Sequence, residues 1–121
     1  VGAAAVVACL SETERLDTKV NAKARGIQLY NGVTDLAKRH NIVGDIRGGH
    51  GLMLGIELVS DQNKKTPLDN DRMKKIHQKT YEFGAMVRLG LNNILMSPPL
   101  TISESEINQI LGALDEGLTA I

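Results

Sequence analysis

The stretch GAMVRLGLNNILMSPPL, residues 84–100, places an arginine inside an apolar run. Arg88 has Val87 and Leu89 as neighbours, and an arginine is rarely buried unless another group pairs with it. Two interpretations are open. In the first, Arg88 lies on an edge strand and extends along its apolar stem to water. In the second, its planar guanidinium grips a carboxylate or a phosphate through two hydrogen bonds.

No other group of residues has the spacing of a complete active site. The glycine-rich RGGHG at residues 47–51 lacks the P-loop spacing and runs into a strand pattern, so it predicts a turn or bulge with positive φ. Glu57 lies on the polar side of its strand, where solvation accounts for it. The histidines have no metal-ligand spacing, and we expect them at a helix end, in a turn and on a helix surface, respectively: His40, His50 and His77.

Composition narrows the class of protein. The 121 residues suffice for one domain with one core, and 14 basic residues balance 14 acidic ones. With aromatic residues at only 2%, this balance disfavours a nucleic-acid surface and a polybasic membrane patch. Cys9 is the only cysteine, which fits a reducing, cytoplasmic setting, and its apolar neighbours predict a small buried side chain. Because the chain begins at Val1, inside an apolar run, we expect a piece of a longer protein.

Three amphipathic helices are predicted after a short apolar first helix. The spacing of Ser11 with Glu14 and of Ser103 with Glu106 predicts two capping boxes, and Asp69 predicts the N-cap of the middle helix. The apolar stripes are Leu16, Val20, Ala24, Ile27, Tyr30, Val33 and Ala37 in the long helix, Met73, Ile76, Thr80 and Phe83 in the next, and Ile107, Ile110, Leu111, Leu114, Leu118 and Ile121 in the last.

Two hairpins alternate with these helices. Residues 42–47 and the alternating residues 52–59 predict a hairpin that turns at GGHG, and the segment SDQNKKTPLDND that follows predicts a polar loop. The stretch that contains Arg88 predicts a second hairpin, with a turn at Asn92–Asn93 and a stop at Pro98–Pro99. The order of helices and hairpins predicts an α+β domain, with a small, mainly antiparallel sheet packed against helices.

Three stretches of the chain occur in an order that is typical of one enzyme family: VGDIRGGHGLMLGIELV, GAMVRLGLNNILMSPPLTISESEI and ILGALDEGL. They resemble the C-terminal part of the class III pyridoxal-phosphate-dependent aminotransferases, whose small domain carries a D-[IV]-R-G-x-G-L-[ML]-x-G-[IV]-E signature, a strand ending in S-P-P-L and a helix opening with T-x-x-E. The opening VGAAAVVACL also matches, so the resemblance implies that residues 1–121 are this small domain. RGGHG is one residue longer than the family's R-G-x-G, which predicts a wider hairpin turn.

The resemblance implies that the intact enzyme uses pyridoxal 5'-phosphate. It also implies that the Schiff-base lysine and the main phosphate-binding residues lie in a large domain, which is absent from this chain. The isolated chain is therefore expected neither to bind the cofactor nor to transaminate, and it carries no expected catalytic, cofactor-binding or metal-binding residue. No lysine of the chain has a context that matches the catalytic one: Lys19, Lys23, Lys38, Lys64, Lys65, Lys74, Lys75 and Lys79.

Two positions in the family's small domain contact substrate. The first lies three residues before S-P-P's first proline and is an arginine that holds the α-carboxylate in relatives with ornithine-like substrates; here it is Leu95. The second is a mobile arginine in the amine and ω-amino-acid:pyruvate branch, which binds a carboxylate or swings away for apolar groups. Arg88 matches this second position, although that branch often has proline where Leu89 stands. The resemblance thus implies that Arg88 is a substrate-binding residue.

The resulting hypothesis is the small domain of a cytoplasmic transaminase that moves an amino group from an amine or ω-amino acid to a keto acid such as pyruvate. Its expected partners are its own large domain and a second copy of the enzyme, with no nucleic acid and no membrane. A free-standing α+β interaction or regulatory module without catalysis explains the absent lysine equally well. The sequence leaves open whether pyruvate or 2-oxoglutarate is the acceptor.

Overall fold

The computed structural model describes all residues from Val1 to Ile121, as four helices and five strands. None of the helices combines the length and the apolar character needed to cross a membrane. In chain order the elements are α1 (Gly2–Arg15), α2 (Thr18–Arg39), β1 (Val43–Arg47), β2 (Leu54–Asp61), β3 (Thr66–Pro67), α3 (Asn70–Glu82), β4 (Arg88–Gly90), β5 (Asn93–Met96) and α4 (Glu104–Thr119).

The strands form an antiparallel sheet in the order β1–β2–β5–β4, and the short β3 pairs with the end of β2. This arrangement confirms the predicted α+β fold and both hairpins, while β3 falls inside the segment expected to be a loop. Because successive side chains alternate between faces, β2 directs Leu54, Ile56 and Leu58 into the core. Gly55 and Glu57 lie on the opposite, outer face of the sheet.

The core lies between the inner face of the sheet and the helices α2, α3 and α4. The predicted stripes of α3 and α4 are confirmed except at their last residues, since Phe83 is 46% and Ile121 is 41% exposed. Both lie beyond the ends of their helices, where no element covers them. The large apolar side chains that are completely enclosed are Leu29, Ile56, Leu58, Met73, Ile76, Ile94, Ile107 and Leu114.

Two of the three predicted helix N-termini are confirmed. The Asp69 side chain accepts a hydrogen bond from the backbone N–H of Arg72 at 3.0 Å, and Ser103–Glu106 forms a reciprocal capping box. The prediction for Ser11–Glu14 is wrong, because both residues lie within α1. The chain breaks instead at Asp17, which has φ 47° and separates α1 from α2. Aspartate adopts this left-handed conformation more readily than most residues.

The predicted apolar stripe of α2 is confirmed in its C-terminal half, where Val33 is buried and Tyr30 and Ala37 pack against the core, and is wrong in its N-terminal half. Val20 and Ile27 are exposed, at 60% and 47%. Gly26 accounts for this orientation, because a Cβ atom at Gly26 would lie 2.1 Å from the carbonyl oxygen of Gly51. The helix backbone therefore packs directly on the RGGHG turn, which only glycine permits. The buried positions of α2 are Thr18, Gly26, Leu29, Val33 and Leu36.

Helix α1 has no buried residue, so the prediction of a buried Cys9 is wrong. Its largest apolar side chains, Val6, Val7 and Leu10, are each more than half exposed. The reason is that no second element of the chain covers the helix, and a run of apolar residues becomes buried only where a partner element packs on it. Helix α1 thus presents an apolar surface to its surroundings.

The turns of the two hairpins differ in how well the sequence predicts them. RGGHG is confirmed as a turn with positive φ at Gly48, Gly49 and Gly51. The second hairpin turns at Leu91–Asn92, one residue earlier than predicted, with Leu91 at φ 56°. Asn92 explains the shift: its side-chain Nδ2 donates to the Leu58 carbonyl, and its own carbonyl accepts from the Leu58 N–H, both at 2.8 Å.

Candidate functional site

Arg88 is the first residue of β4, an edge strand, and its side chain is exposed. Its guanidinium takes part in none of the side-chain hydrogen bonds or ion pairs that the other arginines of the chain form. The neighbouring Val87 is buried and Leu89 is half-buried against the core. The apolar run therefore packs as an ordinary strand, while the arginine alone points outward with all five donors free.

The approach to β4 is held in place by α3. The sequence predicts His77 on the helix surface, but the residue is half-buried, and its Nε2 lies 3.0 Å from the carbonyl oxygen of Val87. A carbonyl only accepts, so Nε2 carries the proton. The Ala85 N–H donates to the Thr80 carbonyl at 3.1 Å, and Gly84 turns the chain with φ 98°. These bonds fix the residue directly before Arg88.

A second set of hydrogen bonds joins α2 to the segment after Pro98–Pro99. The Asn21 Nδ2 donates to the carbonyls of Leu100, at 2.8 Å, and Ile102, at 3.0 Å. Further along α2, Gln28 Nε2 donates to the Glu104 carbonyl at 3.0 Å. The two carboxamides were missed from the sequence, where polar residues on a helix indicate a solvated face. Here they hold the segment between β5 and α4 and the first residue of α4.

Four residues form one row across the outer face of the sheet. Arg47 of β1 pairs with Gly55 of β2, Gly55 with Leu95 of β5, and Leu95 with Arg88 of β4. Directly paired residues project to the same face, so Leu95 and Arg88, the two positions at which the resemblance implies carboxylate-binding arginines, are cross-strand neighbours. Leu95 lies over two glycines, since Cβ atoms there would be 3.6 Å from it at Gly55 and 3.1 Å at Gly90.

The adjacent row of the outer face is polar, and its carboxylates neutralise the charge of Arg47. Asp45 pairs with Glu57, and Glu57 with Asn93. The Arg47 guanidinium donates to both carboxylates, at 3.1 Å to Asp45 and at 3.3 Å to Glu57. The sequence suggests that Glu57 is simply solvated, whereas the structure pairs it with Arg47. Among the arginines of this face, only Arg88 keeps an uncompensated charge.

Arg88 lies between two cavities that also share Leu95, Met96 and Ser97. One cavity, of about 610 Å³, is bounded by the α3–β4 turn, Pro98–Pro99 and the start of α4. The other, of about 630 Å³, lies on the outer face of the sheet. No lysine lines either cavity. The residues around Arg88 therefore supply no amine for a Schiff base, and no group of three or more histidine, cysteine or acidic side chains comes together as a metal site.

The two cavities differ in the charged residues that line them beside Arg88. Glu106 lines the first, and hydrogen bonds from the Ser103 hydroxyl and then from the Ser103 N–H hold the pKa of its carboxyl below the usual value. Its negative charge offsets that of Arg88. The outer cavity contains Arg47, Glu57 and Arg88, and Arg47 is paired with Asp45 and Glu57, so Arg88 is the unpaired cation of its lining. Within this cavity an anion finds its most favourable position next to Arg88 and the apolar Leu95.

The chain is similar in sequence and structure to known transaminases. It is 33% identical to alanine–glyoxylate aminotransferase 2 homolog 2 of Arabidopsis thaliana and, equally, to taurine–pyruvate aminotransferase of Rhodobacter capsulatus, over 98% and 97% of the chain. Its backbone matches an amine transaminase from an uncultivated Pseudomonas species with a TM-score of 0.90, 35% identity and 96% of the chain covered.

The chain spans about a quarter of the length of these relatives. It spans 25% of the Arabidopsis protein, 27% of the Rhodobacter protein and 26% of the Pseudomonas structure. The family model described as aminotransferase class-III matches residues 1–118. The match includes the RGGHG hairpin, the strand of Arg88 and helix α4. The chain belongs to the class III aminotransferase family.

Proposed function

We propose that residues 1–121 are the C-terminal small domain of a pyridoxal-phosphate-dependent transaminase. The intact enzyme moves an amino group from an amine or ω-amino acid to a keto acid such as pyruvate. The observation that carries this proposal is the unpaired guanidinium of Arg88 at the edge of a cavity, in a chain of the class III family. The named activities of the taurine–pyruvate and amine transaminase relatives support the same assignment.

In this proposal Arg88 binds the carboxylate of the keto acid. Its planar fork presents two parallel N–H donors, which match the two oxygens of a carboxylate. Leu95, directly across the strand pair, offers an apolar wall beside the bound group. The hydrogen bond from His77 fixes Val87 directly before β4, and β4 pairs with β5, so the guanidinium approaches the substrate from a paired strand.

The cofactor of the family supplies, when bound, the carbonyl that takes up and returns the amino group. Its covalent attachment requires a lysine, and the cavities beside Arg88 contain none. We therefore assign that attachment to the remainder of the intact enzyme. The contribution of this chain is the orientation of the keto acid, and the isolated domain is inactive.

The exposed face of α1 supports a partner within the same polypeptide. The helix exposes an apolar surface to water, formed by Val6, Val7 and Leu10. Exposed apolar surfaces of this kind usually mark an interface. The occupant in this proposal is the large domain of the intact enzyme. The proposal has two further parts, a homodimer and a cytoplasmic location. The first comes from the family resemblance and the second from the use of a single cysteine.

Replacing Arg88 by alanine in the intact enzyme tests the assignment. Loss of a charge-assisted bidentate pair weakens binding by about 1.5–3 kcal/mol, so kcat/KM for pyruvate should fall roughly 10- to 150-fold. Arg88→Lys should retain part of the activity, because lysine keeps the charge but not the fork. Steady-state kinetics with one amino donor and varied pyruvate give these values.

Arg72→Ala provides the matched control. Arg72 is a partly exposed arginine of α3 that pairs with Asp69 and lines neither cavity beside Arg88. This variant should retain the kinetic constants of the parent enzyme. If Arg88→Ala behaves like Arg72→Ala while its circular dichroism and thermal transition match the parent, Arg88 does not bind the acceptor.

A further inference from the structure

The start of β4 has little support within the sheet. The strand lies at an edge and has three residues, and its pairing with β5 begins at Arg88, opposite Leu95, and ends at Gly90. Val87 precedes this pairing. The ends of short strands fray easily, because few backbone hydrogen bonds hold them. The direction of the Arg88 side chain therefore depends on what holds the peptide unit directly before it.

One side chain holds that peptide unit. His77 Nε2 donates to the Val87 carbonyl oxygen at 3.0 Å, and no other side-chain hydrogen bond reaches residues 83–87. The Val87 carbonyl and the Arg88 N–H belong to one planar peptide unit, so the bond fixes the plane that leads into the Arg88 Cα. Val87 is only 7% exposed, and loss of the His77 donor would leave its carbonyl without a partner in the chain.

The helix that carries His77 is itself firmly held. Ile76 and Thr80, which lie on either side of His77 in α3, are completely buried, and α3 packs along α4. The Thr80 carbonyl also accepts from the Ala85 N–H at 3.1 Å. The connection to β4 thus leaves α3 through a backbone hydrogen bond and is joined to it again at Val87 through the imidazole.

We propose that His77 is a positioning residue for the keto acid, because its hydrogen bond to Val87 sets the direction from which Arg88 meets the carboxylate. A bidentate pair requires the guanidinium and the carboxylate to lie in one plane, and small displacements of a positioning group weaken such recognition strongly. The inference rests on the proposed role of Arg88 and deepens it. His77 acts only through Arg88, so its contribution should vanish when that arginine is absent.

Replacing His77 in the intact enzyme tests this inference. His77→Ala removes the donor and should lower kcat/KM for pyruvate roughly 3- to 10-fold, mainly through a higher KM. An imidazole donates from Nε2 in this tautomer and in its protonated form alike, so the donor and not a charge is required. His77→Gln supplies a neutral amide donor of similar reach and should stay within about twofold of the parent enzyme.

A double-mutant cycle with Arg88→Ala separates positioning from a general structural role. If His77 acts through Arg88, adding His77→Ala to Arg88→Ala should change kcat/KM for pyruvate by less than about twofold, because no guanidinium remains to be directed. Independent contributions would instead multiply, so the double variant would lose activity by the product of the two single losses. Steady-state kinetics with one amino donor and varied pyruvate measure all four enzymes.

Gln78→Ala is the matched control. Gln78 is the next residue of α3, donates only to Glu82 within the same helix and lines neither cavity beside Arg88. It should keep the kinetic constants of the parent within twofold. His77→Leu fills the space of the ring without a donor and replaces His77→Ala in the cycle if the alanine variant fails to fold.

Two results would overturn the inference while Arg88→Ala still loses pyruvate. The first is a donor-free His77 variant that behaves like Gln78→Ala, and the second is a loss that multiplies with that of Arg88→Ala. If Arg88→Ala itself leaves the kinetics with pyruvate unchanged, the proposed function is overturned instead.

Discussion

Helices α4 and α1 are both rich in apolar residues, yet α4 buries them and α1 leaves them exposed. Helix α4 buries Ile107, Leu114 and Leu118 against α3, α2 and the sheet. Helix α1 buries nothing, and Leu10 remains 63% exposed. The difference shows that apolar composition identifies a helix that packs against another element but does not identify that element. For α4 it lies within these residues, and for α1 we assign it to the large domain.

The strongest way to break this comparison is to truncate one leucine in each helix. Leu114 is fully enclosed, so Leu114→Ala should lower the free energy of unfolding by about 2–5 kcal/mol through lost burial and a cavity. Leu10→Ala should change it by less than about 0.5 kcal/mol, because the side chain is already in water. Urea unfolding of the chain, followed by circular dichroism, measures both values.

The same leucine pair distinguishes the chain from the intact enzyme. If the large domain covers α1, Leu10→Ala should destabilise the intact enzyme, whereas in the isolated chain it should not. Equal losses for the two variants in the isolated chain would mean that α1 is buried by some other contact of this chain.

Two glycines of α4 sharpen the comparison within a single helix. A Cβ atom at Gly117 would lie 2.0 Å from the Thr80 hydroxyl oxygen, whereas one at Gly112 would meet nothing within 4 Å. Gly117→Ala should therefore cost about 1–3 kcal/mol by overpacking the α3–α4 contact. Gly112→Ala should stabilise the chain by up to about 1 kcal/mol, since alanine is the better helix former. Thermal and urea unfolding of both variants give the comparison.

The double variant Gly117→Ala/Thr80→Ala identifies the cause of the loss. Thr80 supplies the nearest atom, and its hydroxyl otherwise only donates to the Ile76 carbonyl at 2.8 Å within the same helix. Removing that hydroxyl should recover part of the stability lost in Gly117→Ala. Additive losses from the two substitutions would show that the helices are not in such close contact at this point.

Local patterns predict the parts of the fold that are held by local bonds. The caps at Asp69 and Ser103 use partners three residues away, and the strand alternation needs only one hairpin. The buried face of α2 was not predictable in this way, because it depends on Gly26 meeting Gly51 across the fold. The turn of the second hairpin likewise depends on the bonds between Asn92 and Leu58, which lie 34 residues apart.

The candidate site likewise contains residues that local sequence reveals and residues that depend on distant contacts. Arg88 is visible in the sequence as a charge inside an apolar run, and its exposed, unpaired position agrees with that anomaly. Its role as a carboxylate-binding residue remains a prediction. The alignment of Arg47 with Arg88 could not be predicted, since it requires the register of four strands at once. Asn21 was missed for a related reason, because its acceptors lie near the other end of the chain.

The smallest expected effect concerns the ionic contact that joins α4 to the end of α2. Asp115 accepts hydrogen bonds from His40 Nε2 at 2.6 Å and from Arg39 at 2.8 Å, and these bonds, the first more than the second, lower the pKa of its carboxyl. A carboxyl with a lowered folded-state pKa stabilises the fold above its unfolded pKa of about 3.9. That contribution is lost as the pH falls through the folded-state value.

Asp115→Asn should accordingly lower the stability at pH 7 by up to about 1 kcal/mol, and its deficit should disappear as the pH falls below about 4. Asp35→Asn is the matched control, because Asp35 forms only an exposed pair with Lys38 within α2 and joins no two elements. Urea midpoints between pH 2 and pH 7 measure both variants. If the stability deficit of Asp115→Asn persists unchanged at low pH, Asp115 holds α4 by its shape and not by its charge. Helix α4 would then be held by apolar packing alone, and this is the packing that α1 lacks in this chain.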